Sequence, residues 1–316
     1  MVRIVPMELE THFADGKVNA FLAIGDTVTL IDTGNPGPEA FQQLKTKLHK
    51  HGIGLKDIDQ IVLTHNHIDH AGAIPYIQNE VDIPIFVHER AKGSINMSLE
   101  TFESNREFMY QFMKECGADP LTHIIQREYK QENWSNVSYL QDGWQILLGG
   151  EEFEVVYVPG HSQSDILLWN RETGEALAGD LLIKTFTVNP FIEPPYPGEK
   201  TRPKPLLQYR NSLKKMSRLP LTMTYPGHGE PFGAHVTLIN MRLGEQEKRC
   251  EQILEVLSNG EKCIFDISKE VYPRLRNQSI FLGLSQIQGH LDLLELRDEV
   301  ASEKRGSIVW YHRMKK

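Results

Sequence analysis

Four residues able to ligate a metal, His65, His67, Asp69 and His70, fall within six positions of the stretch Thr64-His65-Asn66-His67-Ile68-Asp69-His70-Ala71-Gly72. Neutral imidazole and carboxylate together suit zinc, iron or manganese better than copper(I) or calcium. The apolar run Ile61-Val62-Leu63 leads in, and Ala71-Gly72-Ala73 leads out toward a helix. Alternation along an extended backbone sends His65, His67 and Asp69 the same way, while His70 turns aside as the chain tightens. Such a run can serve two neighbouring ions, with His65 and His67 on one and Asp69 and His70 on the other.

Three further ligands answer this cluster, each after an apolar run and beside glycine. His161 lies in Pro159-Gly160-His161-Ser162 after the strand-like segment Phe153–Val158, Asp180 in Ala178-Gly179-Asp180, and His228 in Pro226-Gly227-His228-Gly229 after Leu221–Tyr225. A lone histidine on a turn means little, but histidines that all stand at strand ends beside glycine argue for a site. His65, His67 and His161 then supply one ion, Asp69, His70 and His228 the other, and Asp180 can bridge them. Two divalent ions about 3.5–4 Å apart lower the pKa of a shared water and clamp the oxygens of a reacting group. The bridging hydroxide is then the nucleophile, and no serine or cysteine is required; Ser162 has no signalled base. Asp69 is the candidate catalytic residue, a ligand that can also orient the hydroxide or carry its proton.

The set H-x-H-x-D-H, a later lone His, a later Asp and a final Gly-His-Gly resembles the metallo-β-lactamase fold superfamily over roughly residues 15–230. Ile31-Asp32-Thr33-Gly34 resembles that superfamily's early strand end. The resemblance implies an α/β fold, an αββα sandwich of two mixed β-sheets flanked by helices, and two divalent ions, zinc first, with manganese or iron as alternatives. It also implies that Asp32 supports the ligands from behind, where the residue alone reads equally well as a turn aspartate. One such scaffold hosts many chemistries, so substrate does not follow from it.

The elements that must position these residues are visible in the pattern. Asn19–Ile24 and Val28–Ile31 flank the turn Gly25-Asp26. Phe41, Leu44 and Leu48 form a helical stripe. Asp59–Leu63 carries the histidine cluster, and a short helix follows in which Pro75 is tolerable only in the first turn. Ile83–Val87, Glu152–Val158, Ile166–Trp169 and Glu175–Ala178 read as strands, and alternation of strand and helix argues for mixed sheets covered by helices. These elements place a catalytic domain at 1–234. Within it, 96–135 is a helical insertion rich in methionine and aromatics that reads as core or as a wall near the site. The segment 187–205 carries six prolines and reads as a stiff loop, with Lys184, Tyr196, Lys200 and Arg202 around it as candidate substrate contacts or solvated side chains. Residues 235–316 follow as a linker helix and a winged-helix-like domain: His235–Ser258, Phe265–Val271 and Ser279–Leu296 are helical, and 300–312 reads as a hairpin. A winged-helix tail on this core is similar to one branch of the superfamily, which includes a β-lactamase-like endoribonuclease and enzymes named by analogy to hydroxyacylglutathione hydrolase.

The net charge of −8 lies wholly in residues 1–244, because residues 245–316 hold 12 basic and 12 acidic groups. An acidic body disfavours nonspecific nucleic-acid binding. Asn277, Gln278, Gln286, Gln288 and His290 are the base-reading candidates on the last helix, and Lys304, Arg305 and Arg313 the wing's basic groups. This scarcity of basic residues favours a structural role for the domain. Three widely spaced cysteines, Cys116, Cys250 and Cys263, form no disulfide framework, and the N-terminal residues carry no basic-then-apolar signal, so a cytoplasmic protein is expected. The expected activity is metal-dependent hydrolysis of a small thioester, ester or lactone. The alternative is a single-strand-specific endoribonuclease, although the long β-CASP insertion and downstream histidine motif of RNA-processing relatives are not evident. A non-hydrolytic di-iron redox protein ranks last, because position 67 is His rather than Glu and no flavin-domain segment follows. A β-lactamase is disfavoured by Asp180, which stands where many of those enzymes have Cys. The expected partner is a small-molecule substrate, with single-stranded RNA as the alternative; no membrane partner is expected, and self-association into a homo-oligomer stays open.

Overall fold

The computed structural model describes residues 2–13, 16–123, 128–276 and 279–315. Asn277 and Gln278 lie outside the described residues. In chain order the first half comprises β1 (Arg3–Glu10), β2 (Lys17–Ile24), β3 (Val28–Ile31), α1 (Pro38–Lys50), β4 (Gln60–Val62), α2 (Ile68–Ala71), α3 (Ile74–Gln78), β5 (Ile85–His88), α4 (Leu99–Glu115), α5 (Pro120–His123) and β6 (Val137–Leu140). The second half comprises β7 (Gln145–Leu148), β8 (Glu151–Tyr157), β9 (Ile166–Trp169), β10 (Glu175–Gly179), α6 (Pro205–Met216), β11 (Met223–Pro226), α7 (His235–Ser258), β12 (Lys262–Cys263), α8 (Ile264–Val271), α9 (Ser279–Leu296), β13 (Val300–Arg305) and β14 (Ile308–Arg313).

The chain divides into two compact units. The first comprises 1–96, 132–188 and 211–239, and holds two mixed sheets, ordered β1-β2-β3-β4-β5-β6 and β11-β10-β9-β8-β7. This is an α/β fold with mixed sheets and helices. The period of two decides its layers. On β2, β3 and β4, Leu22, Leu30 and Ile61 point to a cluster completed by Phe41, Leu44 and Leu48 of α1 and Ile74 and Ile77 of α3. Their neighbours Phe21, Ile31 and Val62 point the other way, onto Phe153, Val155, Ile166, Leu168 and Leu177 of the second sheet. The first sheet is therefore buried on both faces, and an apolar layer joins it to the second. Each such side chain contributes about 1.5–3 kcal/mol when removed from water. Pro75 falls in the first turn of α3, where its missing N–H costs no helical bond.

The second unit comprises 97–131, 189–210 and 240–316. The sequence-based cut between 234 and 235 differs from this division, because the insertion and the proline-rich loop cluster with the C-terminal segment. The reason is packing: Phe112 and Met113 of α4, the following Cys116, Ile192 of the loop and Leu206 at the start of α6 share one core with Ile253, Ile267, Leu284, Ile287 and Leu291. β12 and β6 carry too little pattern to be visible beforehand; β12 has two residues and pairs with β14. α9 is buried at Gly283–Ser285 and throughout 287–294, so Gln288 and His290 face protein. Arg202 clamps the buried Asp292 of α9 through both guanidinium nitrogens at 2.9 and 2.7 Å, and Gln288 completes that carboxylate's partners at 3.0 Å. Among the described residues no helix is long and apolar enough to cross a membrane.

Glu247 on α7 accepts two bonds from Arg297, both at 2.8 Å, and one from Arg210 at 2.6 Å. The Arg297 bonds, against the opposing effect of burial and with help from Arg210, hold its carboxyl down to about 2 from an ordinary 4.5. A depressed carboxylate stabilises the fold fully above about pH 4.5, and the contribution fades as pH falls toward 2. Glu247 is 41% exposed, and solvent screening limits the effect to about 1 kcal/mol. Glu247→Gln is expected to lower stability in urea by that amount at pH 7, with the gap to the wild type closing between pH 4.5 and 2.

Candidate metal centre

Topology brings the predicted ligands to one edge of the first unit. β3 and β4 are parallel neighbours. β10 is parallel to β11, and β9 is antiparallel to both β10 and β8, so β8, β10 and β11 all run the same way. Asp32 follows β3, His65 and His67 follow β4, His161 follows β8, Asp180 caps β10 and His228 follows β11. Backbone bonds lace the two sheets at this end: Ile166 N donates to Thr64 O at 2.9 Å and Asn19 N to Gly227 O at 2.7 Å. The expectation that Asp69 continues the strand alternation does not hold. α2 begins at Ile68, with His67 before it in extended conformation, so Asp69 and His70 both issue from a single helical turn. A short polar stretch closed by Ala71-Gly72 winds sooner than alternation alone suggests.

The structure brings all seven ligand candidates together. His65, His67 and His161 form one group, Asp69, His70 and His228 a second, and Asp180 joins His65 and His70 in a third; within each group the ligand atoms lie within 4.8 Å of one another. Asp180 reaches both sides: Oδ1 lies 3.4 Å from His70 Nε2, and Oδ2 lies 3.4 Å from His161 Nε2 and 3.4 Å from His228 Nε2. His228 Nε2 also lies 3.6 Å from Asp69 Oδ2. The rear nitrogens are tied elsewhere. His70 Nδ1 is 2.9 Å from Asp32 Oδ2, and His228 Nδ1 donates to Lys17 O. Asp32 holds φ +57, a left-handed conformation uncommon outside glycine, asparagine and aspartate, which aims its carboxylate at Thr64 and His70.

This donor set fits a metal. His65 Nε2, His70 Nε2 and Asp180 Oδ1 are buried and make no hydrogen bond. Orphaned buried donors and acceptors cost about 1–3 kcal/mol each unless something else satisfies them. His67 Nδ1 and His161 Nε2 face each other at 2.9 Å, so these two donors converge on one point. Burial, then the neighbouring His70 and His67, push His65 well below the usual imidazole range. Burial also disfavours the charged form of His70, but Asp180, Asp32 and Asp69 outweigh it and raise that imidazole well above its usual value. Burial opposes charge on Asp180 too, yet His70 and His228 hold its carboxyl well below the usual range, and Asp180 in turn raises His228. Metal ligation needs those imidazoles neutral, so uptake is expected to release protons and to weaken as pH falls. Zinc titration calorimetry in buffers of differing ionisation enthalpy checks this: apparent heats that track the buffer confirm release, and heats independent of it refute it.

Two glycines make room for the cluster. A Cβ at Gly227 would lie 2.1 Å from Asp180 Oδ1 and 2.8 Å from His70 Cε1. One at Gly179, whose φ is +47, would lie 2.7 Å from Thr64 Oγ1. Sequence reasoning assigned no role to Thr64 or the Lys17 carbonyl. Thr64 stands beside the motif, but only the fold aims its hydroxyl, and a backbone carbonyl leaves no trace in residue type. Ser162 and Ser164 are absorbed in the loop itself, their hydroxyls 3.1 Å apart and Ser164 bonded to Asn66 Oδ1 at 2.6 Å, so neither is poised as a nucleophile. Of the candidate substrate contacts, Lys184 is exposed in the first unit, while Tyr196, Lys200 and Arg202 belong to the second, where Arg202 is engaged by Asp292.

Residues 14–228 match the model of the Metallo-beta-lactamase superfamily. Over 318 aligned residues the chain is 32% identical to a probable metallo-hydrolase, YqjP, of Bacillus subtilis, covering 99% of this chain and 98% of the relative. It is 23% identical over 250 residues to the atrochrysone carboxyl ACP thioesterase of Aspergillus fumigatus, covering 78% of this chain and 61% of that enzyme. The crystal structure of the metallo-beta-lactamase family protein TTHA1429 from Thermus thermophilus superposes with a TM-score of 0.82 at 22% identity, with 98% of each chain covered.

Proposed function

The chain belongs to the metallo-beta-lactamase superfamily, as a metallo-hydrolase with a His/Asp metal-binding cluster, and from that premise we propose that it is a dinuclear-metal hydrolase of small thioesters, esters or lactones. The observation that carries the reading is the pair of three-ligand groups with Asp180 between them. His65, His67 and His161 would hold one divalent ion and Asp69, His70 and His228 the other, with Asp180 placed to serve both. Zinc is the resident ion we propose, with manganese or iron as alternatives for the same donor set. Ions bound there supply Lewis-acid polarisation of a scissile carbonyl and a water acidic enough to attack near neutral pH. Asp69 is the residue we assign to orient that water and hold its proton. Asp32 and the Lys17 carbonyl keep His70 and His228 in the tautomer that turns Nε2 to the site.

Three observations support an acyl substrate over RNA. Ile68, between the ligands His67 and Asp69, is 46% exposed, an apolar contact for an acyl chain in the immediate neighbourhood of the chemistry. The fungal relative, 23% identical over 250 residues, is named a thioesterase, which supports a thioester as the bond cleaved. Two of the wing's three basic groups are engaged by carboxylates: Lys304 pairs with Glu115 at 2.7 Å, and Arg305 pairs with Glu261 and, at 2.6 Å, with Glu303. We further propose that α7, β12, α8, α9 and the β13–β14 hairpin form a winged-helix domain whose last helix is structural. The order of its elements and the three-stranded sheet β12-β14-β13 support that assignment, and the burial of α9 supports the role. Three buried free cysteines support a reducing, cytoplasmic setting.

The test runs acyl-thioesters and lactones beside a labelled single-stranded RNA on protein of measured metal content, each with a His67→Ala control. Metal-dependent turnover of the small esters with inert RNA is the expected result. RNA cleavage that disappears in His67→Ala overturns it in favour of an endoribonuclease.

A further inference from the structure

The hydrogen bonds behind the ligands form a single circuit with one carboxylate at its centre. Asp32 Oδ1 accepts Thr64 N at 2.8 Å. Its Oδ2 accepts the Thr64 hydroxyl at 2.7 Å and faces His70 Nδ1 at 2.9 Å. Thr64 Oγ1 in turn lies 3.1 Å from His65 Nδ1. Asp32, Thr64, His65 and His70 are all buried.

Counting protons gives the circuit a direction. A threonine hydroxyl has one hydrogen and two lone pairs. Its hydrogen goes to Asp32, which as a carboxylate can only accept. Toward His65 the oxygen can therefore only accept, so His65 Nδ1 must be the donor. The competing acceptor, Asp165 Oδ1, stands 3.8 Å from His65 Nδ1, beyond hydrogen-bond reach. His70 Nδ1, facing the same carboxylate, must also donate. Each imidazole, when neutral, thus carries its hydrogen on Nδ1 and turns a lone pair on Nε2 to the site, and those two Nε2 atoms are buried without a hydrogen bond. The fold reserves space for the hydroxyl: Gly179 abuts Thr64, where a Cβ would come 2.7 Å from Oγ1 and 2.8 Å from the Thr64 Cβ.

We propose that Thr64 is a positioning residue through which Asp32 sets the tautomer and orientation of His65, so that one carboxylate governs a ligand in each of the two groups, His70 directly and His65 by relay. The proposal rests on the reading that the cluster holds metal, and it assigns a different reach to each partner. Loss of the Thr64 hydroxyl removes the direct partner of one ligand alone, His65. Loss of the Asp32 charge touches both groups.

Thr64→Val keeps the shape and deletes the hydroxyl; Thr64→Ser keeps the hydroxyl. Zinc affinity is measured for each by chelator competition, with bound metal counted by mass spectrometry and folding checked by circular dichroism. Loss of such an outer partner weakens metal affinity about 10–100-fold. The expected result is a fall of that size for one of two ions in Thr64→Val, recovery in Thr64→Ser, and weakening of both ions in Asp32→Asn. Wild-type protein that binds two ions beside a Thr64→Val variant that binds both equally well overturns the relay and leaves the metal-site reading intact; wild-type protein that binds none overturns the reading itself. Imidazole nitrogen-15 spectra of the wild type provide a test that does not depend on the variants folding: protonated Nδ1 on His65 is expected, and protonated Nε2 overturns the relay.

Discussion

Asp180→Ala is expected to lose both ions together and, with them, more than about 10³-fold in hydrolysis, the scale at which several kcal/mol of transition-state charge stabilisation disappear. Single-histidine variants remove one donor from one group, whereas Asp180 stands 3.4 Å from Nε2 atoms belonging to both. Its carboxylate is also the anion that the buried His70 and His228 share. Removing it leaves several imidazoles converging on a centre with no bridging charge, so any ion that enters one group repels the next without compensation. The result is read by metal counting after dialysis and by turnover with zinc in excess. Retention of one tightly bound ion, or activity within tenfold of wild type, contradicts the bridging role. The folded state is expected to survive, because Asp180 caps a strand whose apolar residues, Ala176, Leu177 and Ala178, are untouched.

Gly227→Ala is expected to have nearly as large an effect through space alone. The new methyl would overlap Asp180 Oδ1 at 2.1 Å and crowd His70 Cε1 at 2.8 Å, with Gly179 C at 3.1 Å behind them. Gly227 is not among the residues of positive φ, so its backbone accepts alanine and the penalty is purely steric. The site must yield by about an ångström, a displacement that by itself costs on the order of 10²-fold in rate. Overpacking of a buried site adds about 1–3 kcal/mol of destabilisation. Chelator competition and thermal melts separate the two consequences. A variant with wild-type metal affinity would mean that the 227–229 loop can move away, against the bonds that tie it to Asn19: Asn19 N to Gly227 O at 2.7 Å and Asn19 Nδ2 to Gly229 O at 2.7 Å.

The two variants also separate charge from geometry. Asp180→Ala removes a negative group and leaves room, while Gly227→Ala preserves every ligand and removes room. If both lose metal, the cluster depends on convergence as much as on donor type. That is the expectation for a site assembled from five separate strand ends, where no one segment holds more than the four ligands of 65–70.

The residue types by themselves determined which atoms could do chemistry here. Histidine and aspartate at i, i+2, i+4 and i+5, and three later ligands beside glycine after apolar runs, are legible because donor chemistry belongs to the side chain and strand ends leave an apolar run followed by a turn signal. The helices α1, α7 and α9 were legible for a related reason: their spans are long, and helical spacing repeats often enough to stand out. Asp69 was misplaced because four residues can read equally as strand or first helical turn. The tertiary structure alone decided what stands behind the ligands and what each segment packs against. The Asp32–Thr64–His65 circuit joins residues more than thirty positions apart through a hydroxyl whose direction no sequence pattern encodes. The second unit gathers 97–131 and 189–210 with the C-terminal segment because their apolar faces share one core, and complementarity between faces distant in the chain is a property of the folded molecule.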